Sequence, residues 1–481
     1  MTAKRFSVRR SGAVVALLSV SALSGGTADA ETLQGALAKA YRSNPTLTGA
    51  RAGQRAADEE VPIQKAAGRP DIGASAQFQE LIVRPSNSFL TPHRSVNLTG
   101  AINVPIYSGG AVRNSVKAAE TRVEAGQANL RGTEASIFAQ VVAAYMDVIR
   151  DGAIVSLNRA NVRVLEVNLQ ATNDRFEVGD VTRTDVAQSQ SRLALARSDL
   201  QTAEANLIAS RENYIALVGE APDGLEPPPA LPGLPATPDA AVQVALADNP
   251  DILASRKARD AARYDVRVAR AGTSPTLSGF TQGSYTDYLT SDISANKQVA
   301  VGATLPVPFY QGGRPAAQVR QSQARESQAL EQEIEVERGV ISQTRAAYAS
   351  WQASLQTIQS SQTAVDAASL SLEGVRAENS VGSRTILDIL NAEQEALIAR
   401  VELVSARRNA YVAGFSLLAA MGHAEADDLG LESGALYDPM VNYERVKGKW
   451  WDWDHDPAPV PVATRTVDTP VQTANVAAER P

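Results

Sequence analysis

Apolar positions seven residues apart dominate this chain. After Gly110 they fall at Val116, Val123, Leu130, Ile137 and Ala144. The register then jumps by four and resumes at Val148, Val155, Val162 and Leu169. Trp351, Ile358, Val365 and Leu372 keep that second register 203 positions on (148 to 351). Two further runs of sevens are Val186, Leu193, Leu200, Leu207, Tyr214 and Leu390, Leu397, Val404, Tyr411, Leu418. Sustained sevens predict coiled-coil packing, and a jump of four is a stutter that locally unwinds the supercoil. The pattern therefore predicts two long helical hairpins, over 110–218 and 313–421. An arm of about 60 residues reaches roughly 90–100 Å. The hairpins turn near 174–184 and 378–384, where Val178-Gly179 and Val381-Gly382 supply glycine C-caps.

A second period, of two, precedes each hairpin. Val96, Leu98, Ile102, Val104 and Ile106 alternate with Asn97, Thr99, Ala101, Asn103 and Pro105. Val299, Val301, Ala303, Leu305, Val307 and Phe309 do the same in the second half. With weaker partners upstream, strands are expected over 71–82, 95–107, 276–288 and 297–309. Their lengths suit a tilted transmembrane strand and equally a half-buried soluble hairpin. The export signal and the long helices favour the membrane.

The two halves are copies. Asn44-Pro45 returns as Asn249-Pro250, 205 positions on (44 to 249). Pro105-Ile106-Tyr107-Ser108-Gly109-Gly110 returns as Pro308-Phe309-Tyr310-Gln311-Gly312-Gly313, and Gly219 returns as Gly422. The expected domains are a first repeat over 31–219, a proline-rich linker over 220–238 and a second repeat over 239–422. Each repeat runs helix, two strands, long hairpin. An extension over 423–481 follows, without periodicity and expected to be disordered beyond about 457. Trp450, Trp451 and Trp453 in that extension are expected around the middle of the helical part.

Composition narrows the function. Lys4, Arg5, Arg9 and Arg10, an apolar segment Ala13–Leu23 and Ala28-Asp29-Ala30 form a secretory signal peptide over 1–30. Its removal shifts the net charge from −7 to −10, which argues against nucleic acid. With no cysteine, disulfides, thiolate metal sites and a cysteine nucleophile are excluded. No phosphate loop, zinc-protease or serine-hydrolase motif is found, so neither enzyme nor cofactor is expected. Four strands cannot close a barrel, and an open sheet in lipid leaves backbone groups unpaired. Three chains giving twelve strands is the natural closure. The expected fold is thus an α+β membrane protein: a trimeric twelve-stranded barrel with four strands per chain, carried on long coiled-coil helical hairpins.

The Asn-Pro pairs, the Tyr-Ser-Gly-Gly and Tyr-Gln-Gly-Gly corners and the Val-Gly-Ser-Arg-Thr-Ile-Leu-Asp turn resemble the TolC-type outer-membrane channel family, over about Glu31–Tyr443. The resemblance implies a homotrimer in the outer membrane lipid of a Gram-negative bacterium, its hairpins forming a long α-helical coiled-coil periplasmic tunnel. It also implies a periplasmic adaptor and an inner-membrane ABC or RND-type transporter as partners. The function implied is a passive exit duct for efflux or type I secretion. By position it makes Thr184 and Asp185 the acceptors of a periplasmic lock, Arg384 its donor and Asp388 a constriction ring. Asn391 stands where the family has a second aspartate, and Asn379 where it has a lock tyrosine. The tips Val178, Gly179, Val381, Gly382 and Ser383 become the adaptor contact. The residues alone leave a plainer reading open, in which Thr184, Asp185 and Ser383 cap restarting helices and Arg384 is solvated. A periplasmic adaptor or a coiled coil bridging envelope layers are the competing classes. Neither accounts for duplicated strands with one apolar face.

Overall fold

The structure, a computed structural model, describes residues 31–83, 92–289, 293–431 and 436–476. The expected signal peptide lies outside the described residues.

The first repeat begins with three short helices, α1 (Leu33–Ser43), α2 (Pro45–Asp58) and α3 (Glu60–Ala66). Strands β1 (Asp71–Glu80) and β2 (Arg94–Tyr107) and helices α4 (Ala111–Glu177) and α5 (Arg183–Val218) complete it. The second repeat has α6 (Pro238–Asp248), α7 (Pro250–Ala271), β3 (Leu277–Asp287), β4 (Asn296–Thr304), α8 (Arg314–Ser380) and α9 (Ile386–Met421). A last helix, α10 (Pro439–Val446), lies in the extension. In the first copy Pro62 has no N–H to give the carbonyl four residues back, and the helix breaks between α2 and α3. The second copy has no proline there, and α7 runs unbroken. The fourth strand stops at Thr304 rather than at the expected 309, because Pro306 and Pro308 remove ladder donors.

The strands form one antiparallel sheet in the order β1-β2-β3-β4, so the two repeats join through β2 and β3. Directly opposed residues share a face. The register sets Phe78 against Val96, Ile72 against Ile102 and Thr281 against Val301 on one face. On the other it sets Ser75 against Thr99, Gln77 against Asn97 and Ser284 against Gln298. The sheet therefore has an apolar face and a polar face. Every residue of β1 is exposed, and β1 and β4 are unpaired along their outer edges.

The long helices α4 and α8 have 67 residues each, about 100 Å at 1.5 Å per residue. Helices α5 and α9 have 36, about half that length. The Asn-Pro pairs explain how the shorter arms are extended. Asn44 is buried, and its Oδ1 accepts from the N–H groups of Thr46 and Leu47, capping α2. Its Nδ2 donates to the Leu217 carbonyl at 2.9 Å, satisfying the end of α5. Asn249 repeats this: its Oδ1 accepts from Asp251 and Ile252, and its Nδ2 donates to the Ala420 carbonyl at 2.9 Å. One amide side chain thus splices α5 onto α2, and another splices α9 onto α7. Gly422, at φ 85°, lets the chains approach there, since a Cβ would lie 2.6 Å from the Asp248 carbonyl oxygen.

The seven-residue positions face inward as expected. Val123, Leu130, Ile137 and Ala144 are buried, and Val148, Val155 and Val162 stay buried past the jump of four. The main core lies in the middle of the molecule, where Phe138, Tyr145, Tyr214 and Phe415 gather. Helix α8 differs from α4: Leu330, Ile334, Leu355 and Leu370 are exposed along it. One flank of the chain is therefore apolar and uncovered.

The extension departs from expectation twice. Over 458–476, the described part beyond 457, it lacks regular structure but is docked rather than disordered. Arg211 holds the carbonyls of Thr473 and Asn475, Arg159 holds that of Ala474 at 2.9 Å, and Ala474 and Val476 pack on the core. A segment held through its carbonyls needs no apolar periodicity, so its sequence carried no sign of this. The three tryptophans also lie elsewhere than expected. Arg69 donates to the Lys449 carbonyl at 2.7 Å and Lys65 to the Lys447 carbonyl at 3.1 Å. Arg69 stands two residues before β1, so the cluster lies at the junction of sheet and helices.

Candidate functional site

The two hairpin tips share one local design. At the first, the Thr182 hydroxyl accepts from the Asp185 N–H at 3.3 Å, while Asp185 Oδ2 accepts from the Thr182 N–H at 2.8 Å. At the second, Thr385 and Asp388 do the same at 3.2 and 2.9 Å. These are reciprocal capping boxes, with aspartate in place of the usual glutamate. The caps are thus Thr182 and Thr385, not the expected Thr184 and Ser383, because the hydroxyl must stand three residues before the carboxylate. Thr184 lies exposed in the first turn of α5, and the Ser383 hydroxyl donates to the Glu378 carbonyl at 2.9 Å. The Thr182 and Thr385 N–H groups hold both aspartates below the usual carboxylate range, helped by the threonine hydroxyls.

Each tip has its own ion pair. Arg175 meets Asp180 at 2.7 Å in the first. In the second, Arg384 Nε meets Glu378 Oε2 at 2.7 Å, which raises the guanidinium's pKa. Asn379 donates to the Arg384 carbonyl at 2.7 Å and closes that turn. Within one chain, then, Arg384 and Asp185 are not brought together; both are exposed and held by their own tips. Asn391 has a partner that sequence reasoning missed: its Oδ1 accepts from Arg192 at 2.8 Å, linking α5 to α9. Arg192 stands seven residues after Asp185, on the same face of α5. That spacing was the available signal.

Leu390 supports this link by packing with Val162, Leu165 and Leu193 of the first hairpin. Arg197 reaches Glu166 at 2.8 Å within the first hairpin, and Arg376 pairs with Glu393 within the second. Val178 and Val381 are the outermost apolar residues, both exposed, beside Gly179 and Gly382 at φ 82° and 81°. Among the described residues no His, Cys, Asp and Glu cluster could hold a metal ion.

The family model described as outer membrane efflux protein matches residues 36–220 and 241–423, one stretch per repeat. The chain belongs to the TolC family of outer membrane efflux proteins. The outer membrane efflux protein BepC of Brucella suis is 36% identical over 441 residues, covering 91% of this chain and 95% of that protein. The outer membrane protein TolC of Escherichia coli is 27% identical over 443 residues, covering 87% of each. The CmeC outer membrane channel of Campylobacter jejuni shares the fold, with TM-score 0.73 at 15% identity over 86% of this chain and 89% of that one. As a TolC-family protein the chain is a non-enzymatic outer-membrane channel of Gram-negative bacteria, extending into the periplasm and serving tripartite efflux or type I secretion. Membership implies a trimer and pump partners.

Proposed function

We propose that three copies close a twelve-stranded barrel and a helical tunnel whose periplasmic end is gated by the hairpin tips. The observation that carries this is the pair of matched tips, each ending in an exposed carboxylate that is fixed by its own cap. In the trimer, Arg384 exchanges Glu378 for Asp185 of a neighbouring hairpin, beside Thr184, because a planar guanidinium suits a carboxylate. Asp388 faces the axis, so three carboxylates crowd together and attract cations. Their mutual repulsion opposes the lowering that Thr385 imposes within each chain. Asn391, neutral and already engaged by Arg192, leaves one carboxylate ring rather than two.

The test is single-channel conductance of purified protein in planar bilayers. Asp185→Asn keeps a capping oxygen and removes the charge; Arg384→Ala removes its partner. Small cation-preferring currents should rise in both variants. Unchanged currents would reduce both residues to local tip contacts, and no channels from folded protein would favour an envelope-bridging coiled coil.

The exposed tips Val178, Gly179, Val381, Gly382 and Ser383 form the docking point for a periplasmic adaptor, which connects the duct to an inner-membrane ABC or RND-type transporter. Photocrosslinkers at Val178 and Val381 should capture a co-expressed adaptor. Crosslinks forming only at mid-tunnel positions would sink this assignment.

A further inference from the structure

Three indoles stand together in the open. Trp450, Trp451 and Trp453 are 72%, 59% and 73% exposed, with successive ring centroids 6.0 and 5.3 Å apart and edges turned to faces. Buried aromatic side chains bring about 150–250 Å² each out of water, so an exposed trio forms a patch that calls for a cover. Their loop is built, not loose. Arg445 grips Asp456 through two bonds of 2.7 and 2.8 Å, and Lys449 meets Asp454 at 3.1 Å. The nearby charges are therefore largely paired within the loop, and the indoles are what it presents.

Its position names the cover. The bond from Arg69 to the Lys449 carbonyl fixes the loop two residues from the start of β1. Ile72, the first residue of β1 on the apolar face of the sheet, is 75% exposed one step further on. Tyr107, which ends β2 at the same end of the sheet, is exposed as well. The loop thus stands beside the start of the sheet's apolar face, which on the outer-membrane reading is the level where hydrocarbon gives way to headgroups. Indole, with an apolar body and one N–H donor, partitions to that zone.

We propose that Trp450, Trp451 and Trp453 form an interfacial anchor that sinks into the headgroup region of phospholipids in the periplasmic leaflet. The anchor sets the depth of the barrel from outside the barrel, using a segment beyond the duplicated repeats. This rests on the outer-membrane reading. Full-length protein in phosphatidylethanolamine-rich vesicles is therefore first separated by flotation from protein that has not inserted.

The sequence has four tryptophans, so Trp351→Phe leaves only this trio. If that variant folds poorly, the difference between wild type and Trp450→Phe/Trp451→Phe/Trp453→Phe reports the same three. Lipids spin-labelled near the headgroup should quench the trio more than lipids labelled deep in the chain, and aqueous iodide should quench little. Dominant quenching by iodide would overturn the anchor by placing the indoles in water. Protection from every quencher would overturn it in favour of burial by a neighbouring copy. Protein that fails to float would remove the membrane reading itself.

Discussion

Asn44 and Asn249 carry more of the architecture than their size suggests. Each uses its oxygen for one helix and its nitrogen for another, and both are buried, at 3% and 5% exposure. Replacing either by alanine strands N–H groups at one helix start and a carbonyl at another helix end, at a cost of about 1–3 kcal/mol. Thermal unfolding of the detergent-solubilised protein should show Asn249→Ala clearly destabilised. Asn249→Asp should be no better, because it keeps the cap but turns an anion toward the Ala420 carbonyl. A melting temperature equal to wild type in both would mean the splice contributes nothing. The Asn-Pro pairs were legible as a repeat and as a helix start, since a cap is read from neighbouring residues. Their second role was not, because Leu217 lies 173 positions from Asn44 and only folding brings it near. The same holds for Arg192 and Asn391, which are joined across 199 positions. Thr182 and Thr385 were within reach: a hydroxyl three residues before each aspartate is visible in the chain, but adjacent Thr184 and Ser383 drew the assignment.

At the scale of elements, periodicity was the reliable guide. Heptads located α4, α5, α8 and α9, and alternation located the strands together with their two faces. That reading has a direct test, because Leu98 and Thr99 are neighbours in β2 on opposite faces. Leu98→Arg puts a charge toward lipid and should cost about 2–4 kcal/mol near the bilayer midplane. Thr99→Arg, toward the lumen, should leave the trimer yield unchanged and alter ion selectivity. Equal losses in trimer yield would refute the assignment of faces.

The docking of residues 423–431 on α4 supplies a pH-dependent element. Glu134 accepts the Ala426 N–H at 2.7 Å, and burial pushes its carboxyl up to about 7, with Glu425 and Asp427 adding to the rise and Arg51 opposing it. A raised acid pKa means that the folded state holds the proton longer than the unfolded one. This contribution to stability is therefore full below about 4.5 and declines as pH rises to about 7. Wild type should lose on the order of 1–3 kcal/mol across that window relative to Glu134→Gln. Parallel denaturation curves for the two proteins from pH 4.5 to 7.5 would rule this out.

At the scale of the molecule, what one chain leaves open matters as much as what it closes. Two sheet edges and the apolar flank of α8 are unfilled, and the proposed trimer would cover them. The need for several copies was legible in the sequence, because four strands cannot seal themselves from lipid. The position of the tryptophans was not, because the extension returns to the sheet through carbonyls that any residue could offer.

The spliced helices also have a mechanical consequence. Each long arm, α4 and α8, is one unbroken rod from tip to barrel, whereas α5 and α9 are jointed to their continuations through a few side chains: Asn44 and Ser43 hold the carbonyls of Leu217 and Val218, and Asn249 holds that of Ala420. A rod transmits torque and a joint absorbs it. Under the proposed gating, rotation of α5 and α9 would therefore end at Asn44 and Asn249, leaving the barrel's strand register undisturbed while the far end of the tunnel dilates.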